Sequence, residues 1–273
     1  MCIRDSIKAE KYRRDWSRYL QETEGNRAGE GAADRNKPRD VDAGSGRGRS
    51  AEAKKEPMPP DRDLALETLV QVLTGDILVQ WHCYEADDMI AALEVADEFG
   101  FAVRSFHHAL DAYKIRDLLV QRQVAVTTWA SWYGFKMEAY DGIPENMALV
   151  HQAGGRAVVH SDSPNEIQIL NQEAAKALTA GQAAGIPVTE ADALRWITAN
   201  PAWVLGIDDQ VGTLEVGKRA DVVIWSENPL SVYARAEKVF IDGHLIYDLS
   251  HPAEPWSDFE IGLRSADSAT EER

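Results

Sequence analysis

Short apolar runs alternate with amphipathic segments four times along the middle of the chain, between residues 63 and 162. Strands are predicted to end at four positions: His82, His108, Trp129 and Val159. Residues at helical spacing predict four helices, at 63–74, 87–99, 112–122 and 144–153. Strands that are apolar throughout and alternate with helices are typical of a parallel sheet covered by helices. We therefore predict an α/β fold whose four units amount to half of an eight-unit barrel.

The pattern changes beyond the last of these strands. Two helices are predicted at residues 165–184 and 189–205, and Thr189 with Asp192 is close to a capping box. Short strands and turns are then predicted at three places: 211–217, 220–225 and 239–247. The barrel half is thus assigned to residues 62–205, a small accessory β-domain to 206–249 and a polar tail to 250–273.

The first 61 residues divide into three parts. Residues 7–21 predict one amphipathic helix, whereas residues 22–61 have almost no large apolar side chain and are typical of a disordered linker. The opening segment Met1-Cys2-Ile3-Arg4-Asp5-Ser6 resembles a translated sequencing adapter of the kind seen at the edges of metagenomic reading frames. We therefore expect the native protein to begin further upstream.

Composition and charge narrow the classes of partner. Of 273 residues 44% are hydrophobic, which is enough to build a core, and no apolar run approaches the length of about 18 residues that a membrane span needs. Residues 62–273 carry 15 Lys or Arg against 33 Asp or Glu, so this part repels nucleic acid and anionic lipid. We leave association with further copies of the chain open. The compartment, cytoplasmic or periplasmic, is also left open.

Candidate chemistry is concentrated at three strand ends. His82 and the pair His107-His108 close two apolar runs, and Asp162 follows a third. Taken alone, each of these residues is more often a cap or a satisfied polar group. Together they place metal-type ligands where parallel α/β barrels keep their chemistry, at the carboxyl ends of strands. Asp162 is the predicted centre of the site.

A motif near the C-terminus resembles the C-terminal signature of the metal-dependent amidohydrolases. It comprises Asn200-Pro201-Ala202, Leu205-Gly206, Val211-Gly212-Thr213-Leu214-Glu215-Val216-Gly217-Lys218 and Ala220-Asp221-Val222-Val223. Within that superfamily the imidazolonepropionase-related group is most similar. The residues that carry this second resemblance are His82-Cys83-Tyr84, His108-Ala109-Leu110-Asp111-Ala112-Tyr113-Lys114 and Ser161-Asp162-Ser163.

The resemblance implies a (β/α)8 barrel in which His82 ends strand five, His108 ends strand six and Asp162 ends strand eight. It implies that both histidines bind a divalent metal, usually zinc, with one or two ions in the complete enzyme. Asp162 would ligate metal and take a proton from the attacking water. The reaction implied is hydrolysis of an amide or cyclic amide C–N bond in a small molecule. His108 fits the pattern better than His107.

One part of the family pattern is missing. Members carry a His-x-His pair at the end of strand one, and no His-x-His occurs in this sequence. The helix at residues 7–21 resembles the helix that follows strand four, so we expect the chain to be the C-terminal portion of a longer enzyme. A catalytically inactive half-barrel is therefore the alternative function. Within the enzyme class, a dipeptidase or an N-acyl amino acid deacylase remains open.

Five further residues are candidates for the substrate pocket: His160, Trp129, Trp132, Tyr133 and Lys136. His160 lies two residues before Asp162, so period-two alternation places both on one side of the strand. A role in the core is as reasonable for His160. The other four follow the third strand of the pattern, where aromatic residues shape a pocket or simply pack.

Overall fold

A computed structural model describes residues 3–33, 57–132 and 134–251. It divides into two compact units, one comprising Met1–Trp81 and Asp87–Arg104 and the other His82–Ala86 and Ser105–Arg273. No helix in the described ranges is long and apolar enough to cross a membrane. The domain boundaries predicted from the sequence differ from this division and remain a prediction.

Three of the helices in the described residues lie in the first unit, apart from Ala86 at the start of the third. They are α1 (Ile3–Ala33), α2 (Leu64–Thr74) and α3 (Ala86–Phe99). The helix α1 continues twelve residues beyond the predicted end at Gln21, so the first part of the predicted linker is helical. Residues 34–56 of that linker lie outside the described residues. At the start of α2 the Asp63 carboxylate accepts hydrogen bonds from the amides of Ala65 and Leu66, which satisfies donors that a helix leaves free.

Four strands form one sheet in the order β1-β2-β3-β4. They are β1 (Val79–Cys83), β2 (Val103–His108), β3 (Ala125–Thr128) and β4 (Ala157–Val159). The pairs β2–β3 and β3–β4 are parallel, with Phe106 opposite Val126 and Thr127 opposite Val158. Every residue of β3 and β4 is buried, as expected for strands covered on both faces. The predicted parallel α/β sheet is confirmed.

Helices follow each of these strands. After α3 come α4 (Arg116–Gln121), α5 (Asn146–Gln152), α6 (Leu170–Ala183), α7 (Glu190–Trp196) and α8 (Ala199–Leu205). The single helix predicted at 189–205 is divided into α7 and α8. Pro201 explains the break, because proline lacks an amide hydrogen and clashes with the carbonyl four residues earlier, yet is tolerated in a first helical turn. The predicted capping box of Thr189 and Asp192 is present at the start of α7.

The small β-sheet has three antiparallel strands in the order β5-β6-β7. They are β5 (Val222–Trp225), β6 (Ala236–Ile241) and β7 (His244–Asp248). The predicted turn at Asp242-Gly243 joins β6 to β7, and both residues have positive φ. Residues 211–217 contribute turns and no strand.

Two residues of the C-terminal motif have structural roles in this fold. The side-chain amide of Asn200 on α8 donates to the carbonyl of Ala157 on β4, at 2.8 Å. Gly212 has φ +93°, and a Cβ at that position would lie 2.7 Å from the Cβ of Ala202, so no other residue fits. Gly212 thus lets the segment after α8 pack closely against α8, and Asn200 connects α8 to β4.

The contact between α5 and α6 generates a prediction about stability. A Cβ on Gly181 would lie 2.5 Å from the Cβ of Ala148 and 3.2 Å from Cγ2 of Val188. We expect Gly181→Ala to destabilise the protein by about 1–3 kcal/mol through overpacking, although alanine favours helix. Thermal or urea unfolding measures the change. Thr179→Ala, at an exposed position of the same helix, should stay within about 0.5 kcal/mol of the parent, and equal stability of the two variants would contradict the close packing.

Candidate active site

The two predicted histidine ligands lie side by side at the ends of their strands. His82 precedes the last residue of β1 and His108 is the last residue of β2, and their ring centroids are 4.2 Å apart at an interplanar angle of 66°. A backbone hydrogen bond from the amide of Ala109 to the carbonyl of Cys83, 2.7 Å long, ties the two strand ends together. His82 is exposed, whereas His108 is only 5% exposed.

Asp162 approaches His108 from the end of β4. Its Oδ2 lies 3.8 Å from Nδ1 of His108, and half of its side chain, 51%, is accessible. Both residues have left-handed backbone conformations, with φ 69° for His108 and 49° for Asp162. Such conformations cost about 1–3 kcal/mol each in residues other than glycine and are concentrated at functional sites. The backbone therefore turns sharply at both positions and brings the two side chains together.

Nδ1 of His108 is a buried polar atom that has no hydrogen-bond partner within the described residues. The carboxylate of Asp162 is too distant for a hydrogen bond, which needs about 3 Å between nitrogen and oxygen. Burial, and after it the neighbouring His82, lower the pKa of His108 to about 4, while Asp162 opposes the shift. His108 is therefore neutral at pH 7, which is the form of imidazole that binds metals.

The donor set of His82, His108 and Asp162 suits a divalent metal chemically, since imidazole nitrogen and carboxylate oxygen are both zinc ligands. The buried Nδ1 of His108, which has no hydrogen-bond partner among the described residues and faces a carboxylate, also fits such a cation. Within residues 3–33, 57–132 and 134–251, however, no group of three or more His, Cys, Asp or Glu side chains is close enough to hold a metal ion. The structure brings the three residues into one neighbourhood, and their role as ligands remains a prediction.

His160 lies beside His108 and lines the same site. Its ring centroid is 5.2 Å from that of His108 and 4.5 Å from that of Trp129. Burial, with the neighbouring His108 and His107, lowers the pKa of His160 to about 3, and its Nε2 is buried with no partner among the described residues. His107, the alternative to His108, also has its pKa lowered, chiefly by burial, and lies opposite Thr127 in the sheet register.

Tyr84 also belongs to the site, although its position in the sequence does not by itself single it out. Its ring stacks on His108 with centroids 4.7 Å apart and planes within 3° of parallel. It also meets His82 edge to face at 5.2 Å. A signal was available in the sequence, because Tyr84 follows His82 by two residues and period-two alternation directs both side chains to one side. Tyr84 holds the His108 ring in place.

The loop that follows β3 supplies the remaining predicted pocket residues. Trp129 is 2% exposed, and its indole donates to the carbonyl of Trp132 at 2.7 Å. Nζ of Lys136 lies 3.6 Å from the centroid of the Tyr84 ring, so the loop folds back over the site. Tyr133 lies outside the described residues. Trp129 and Lys136 therefore contact the site's aromatic residues directly, and Trp132 contacts it through Trp129.

A buried carboxylate on α6 fixes the start of this loop. Glu173 is 3% exposed and accepts hydrogen bonds from the amide of Ala130 at 3.1 Å, from Oγ of Ser131 at 2.6 Å and from Nζ of Lys176. Burial by itself raises the pKa of the Glu173 carboxyl, but these three donors outweigh burial and hold the pKa below its ordinary value. Glu173 is thus an ionised anchor between α6 and the loop.

Comparison with known proteins identifies the family. Residues 142–254 match the model of the amidohydrolase family. The chain belongs to the metal-dependent amidohydrolase superfamily. The predicted superfamily is therefore confirmed, while the finer resemblance to the imidazolonepropionase-related group remains a prediction.

Relatives of known sequence or structure agree with this assignment. Amidohydrolase tasK of Hapsidospora irregularis is 34% identical over 191 residues, which are 68% of this chain and 19% of that protein. An amidohydrolase from Thermotoga maritima MSB8 superposes with a TM-score of 0.62 at 27% identity, covering 84% of this chain and 54% of the other.

A more distant structure shows the same fold. An adenosine deaminase from Xanthomonas campestris with bound zinc has a TM-score of 0.56 at 19% identity, over 74% of this chain and 53% of the other. This chain spans about half the length of the two solved amidohydrolase-fold structures and about a fifth of the curated relative. Its four β/α units thus correspond to half of the superfamily's (β/α)8 barrel.

The Glu173 anchor predicts a pH-dependent contribution to stability. A carboxyl group with a depressed native pKa stabilises the fold above its ordinary pKa of about 4.3, and this contribution disappears as the pH falls through the native value. Glu173→Gln should lose about 1.5–3 kcal/mol at pH 7, because the amide nitrogen of glutamine faces the Lys176 ammonium with two donors. The difference between parent and variant should shrink below about pH 4.

Urea unfolding at pH 7 and at pH 3.5 measures both effects. Glu98→Gln, an exposed position on α3, is the matched control and should change stability by under about 0.5 kcal/mol at either pH. A parent-to-variant difference for Glu173→Gln that is unchanged at pH 3.5 would show that the carboxylate charge is not what holds the loop.

Proposed function

We propose that this protein is a metal-dependent hydrolase that cleaves the C–N bond of an amide or cyclic amide in a small molecule. The observation that carries the proposal is the convergence of His82, His108 and Asp162 at three strand ends, with the buried Nδ1 of His108 unpartnered among the described residues and facing the Asp162 carboxylate. Membership of the amidohydrolase superfamily supports it, as does a neighbour of the same fold that carries zinc.

His82 and His108 are the residues that would hold the divalent ion, for which zinc is the best candidate, as one ion or two. Such an ion supplies a lowered pKa, about 7, to a coordinated water molecule and polarises the substrate carbonyl. Burial keeps His108 neutral, and the stacked ring of Tyr84 fixes the plane of its imidazole. Because the His108 ring is neutral and its plane is fixed, a nitrogen lone pair of His108 stays available in a defined direction.

Asp162 is the proposed proton carrier. Its carboxylate lies beside His108 yet is half accessible, so it can meet both water and substrate. It would accept the proton of the attacking water and pass it to the leaving nitrogen, which becomes an amine. Transfer by a positioned side chain is worth about 10²–10⁴-fold in rate. The half-buried His160 and the buried Trp129 lie beside these residues, with ring centroids 4.5 Å apart, and limit access of bulk water.

A second possibility is that the 273-residue chain has no activity of its own. The observation in its favour is that no three-ligand group is assembled within the described residues. In that case the residues described here form only part of the catalytic centre. Metal content and turnover, measured separately, distinguish the two possibilities.

The first prediction of this proposal concerns metal affinity. After dialysis of the 273-residue chain against a mild chelator, we expect well under one zinc ion per chain by elemental analysis. With only two histidines and one half-exposed aspartate as ligands, the ion can be removed by the chelator. Ligands without supporting hydrogen bonds also bind metal more weakly, by about 10–100-fold. Retention of one full equivalent of zinc would show that the site is complete as it stands.

The second prediction separates the role of Asp162 from that of the histidines. Asp162→Asn keeps size and one oxygen but cannot relay a proton, so in buffer with added zinc its turnover should fall at least about 100-fold while its metal content stays close to that of the parent. His108→Ala should lose metal and turnover together. Asp117→Asn, at an exposed position of α4, is the control and should retain both.

Turnover is to be measured with a compound that the parent protein hydrolyses in a screen. The screen contains N-acyl amino acids, dipeptides, and hydantoin- or imidazolone-like rings. Near-parental turnover of Asp162→Asn would remove Asp162 from the catalytic role and leave it as the cap of a strand end.

A further inference from the structure

Lys136 is a positioned cation beside the candidate site. Its ammonium lies 3.6 Å from the centroid of the Tyr84 ring and 5.7 Å from that of Phe135. The Tyr84 ring is stacked on His108, so His108 occupies one face of Tyr84 and the ammonium must lie over the other. The cation is therefore close enough to act on the same ligand as His108.

No carboxylate within the described residues pairs with Lys136. The acidic composition makes this unusual, because the chain has 45 Asp or Glu against 29 Lys or Arg. Five other described lysines lie within ion-pair distance of a carboxylate: Lys8, Lys114, Lys176, Lys218 and Lys238. An ammonium has three donors, and a contact with a ring face leaves them available to a ligand.

The backbone around Lys136 is held in place. The indole of Trp129 donates to the carbonyl of Trp132, and the amide of Gly134 donates to the carbonyl of Ala139 at 2.7 Å. The amide of Ala139 in turn donates to the carbonyl of Lys136 at 3.1 Å, and Ala139 is fully buried. These hydrogen bonds fix the backbone on both sides of Lys136. The Lys136 ammonium lies over the Tyr84 ring.

We propose that Lys136 binds a carboxylate of the substrate, so that the hydrolysed compound is an amide of dipeptide size with a free carboxylate, such as a dipeptide or an N-acyl amino acid. This inference rests on the proposed function. The ammonium and the His108 ring lie on opposite faces of one aromatic ring, about two van der Waals contact distances or ~7–8 Å apart. An extended chain of two residues spans about 7 Å.

The charges at the site support a substrate that lies with its carboxylate at Lys136 and its amide beside His108. Asp162 is half exposed on the His108 side of the site and would repel a substrate carboxylate there. Lys136 therefore supplies the positive charge that attracts an anionic group, and the amide is left beside His108.

The test compares the binding of acids with the binding of their carboxamides. Isothermal titration calorimetry measures the affinity of N-acetyl amino acids and dipeptides, each paired with its C-terminal carboxamide, with chelator present and again with zinc. The chelator arm removes direct binding of the carboxylate to metal. We expect the parent to bind each acid about 10–100-fold more tightly than its carboxamide, the range of one charge-assisted contact.

Three variants complete the design. Lys136→Met should reduce the preference for the acid to below about 2-fold, and Lys136→Arg should restore most of it, because guanidinium also binds carboxylate. Lys11→Met is the matched control, since Lys11 on α1 also has no carboxylate partner within the described residues, and it should keep the parental preference.

The outcomes separate the two proposals. A parent without preference, or no binding of any pair, overturns the role of Lys136. A Lys136→Met variant that melts earlier but keeps the preference also overturns it and leaves Lys136 as a partner of the Tyr84 ring. Preference without hydrolysis under any condition supports carboxylate binding and counts against the proposed hydrolase. Hydrolysis of acids and carboxamides with equal kcat/KM supports the hydrolase and overturns the inference.

Discussion

Burial of the central strands on both faces is the constraint on which the rest of this structure depends. Every residue of β3 and β4 is buried, and the sheet has no solvent-facing side at these strands that could carry polar chemistry. Polar side chains that must reach solvent or a substrate can therefore meet only where the strands end, while the buried hydroxyls of Ser105 and Thr127 satisfy each other inside the sheet. His108 and Asp162 occupy two such ends, and both adopt left-handed backbone that turns the side chain toward the other.

The same burial determines the electrostatics of the site. Removal of solvent disfavours the charged form of an imidazole, so the pKa falls to about 4 at His108 and about 3 at His160. An acidic chain would otherwise favour protonated histidine. The result is a group of neutral imidazoles beside a half-accessible carboxylate, which suits the binding of a cation and the transfer of a proton.

Two buried polar contacts connect this site to the surrounding helices. Glu173 on α6 holds Ala130 and Ser131 at the start of the loop after β3, and Asn200 on α8 holds the carbonyl of Ala157 on β4. Each of these two contacts gives a buried polar group a fixed partner in place of water. Without a partner, such a group would cost about 1–3 kcal/mol. The C-terminal motif thus supports β4, the strand that leads to Asp162, and Glu173 supports the loop that covers the site.

The sequence by itself determined the alternation of strands and helices, since periodicity of apolar residues reports which faces are buried. It also placed His82, His108 and Asp162 at strand ends, and identified the superfamily through the motif around Asn200 and Gly212. Only tertiary structure decided which side chains meet. Stacking of Tyr84 on His108, the Glu173 anchor and the position of the Lys136 ammonium over Tyr84 depend on where separate segments pack in space, and linear spacing carries no record of those distances.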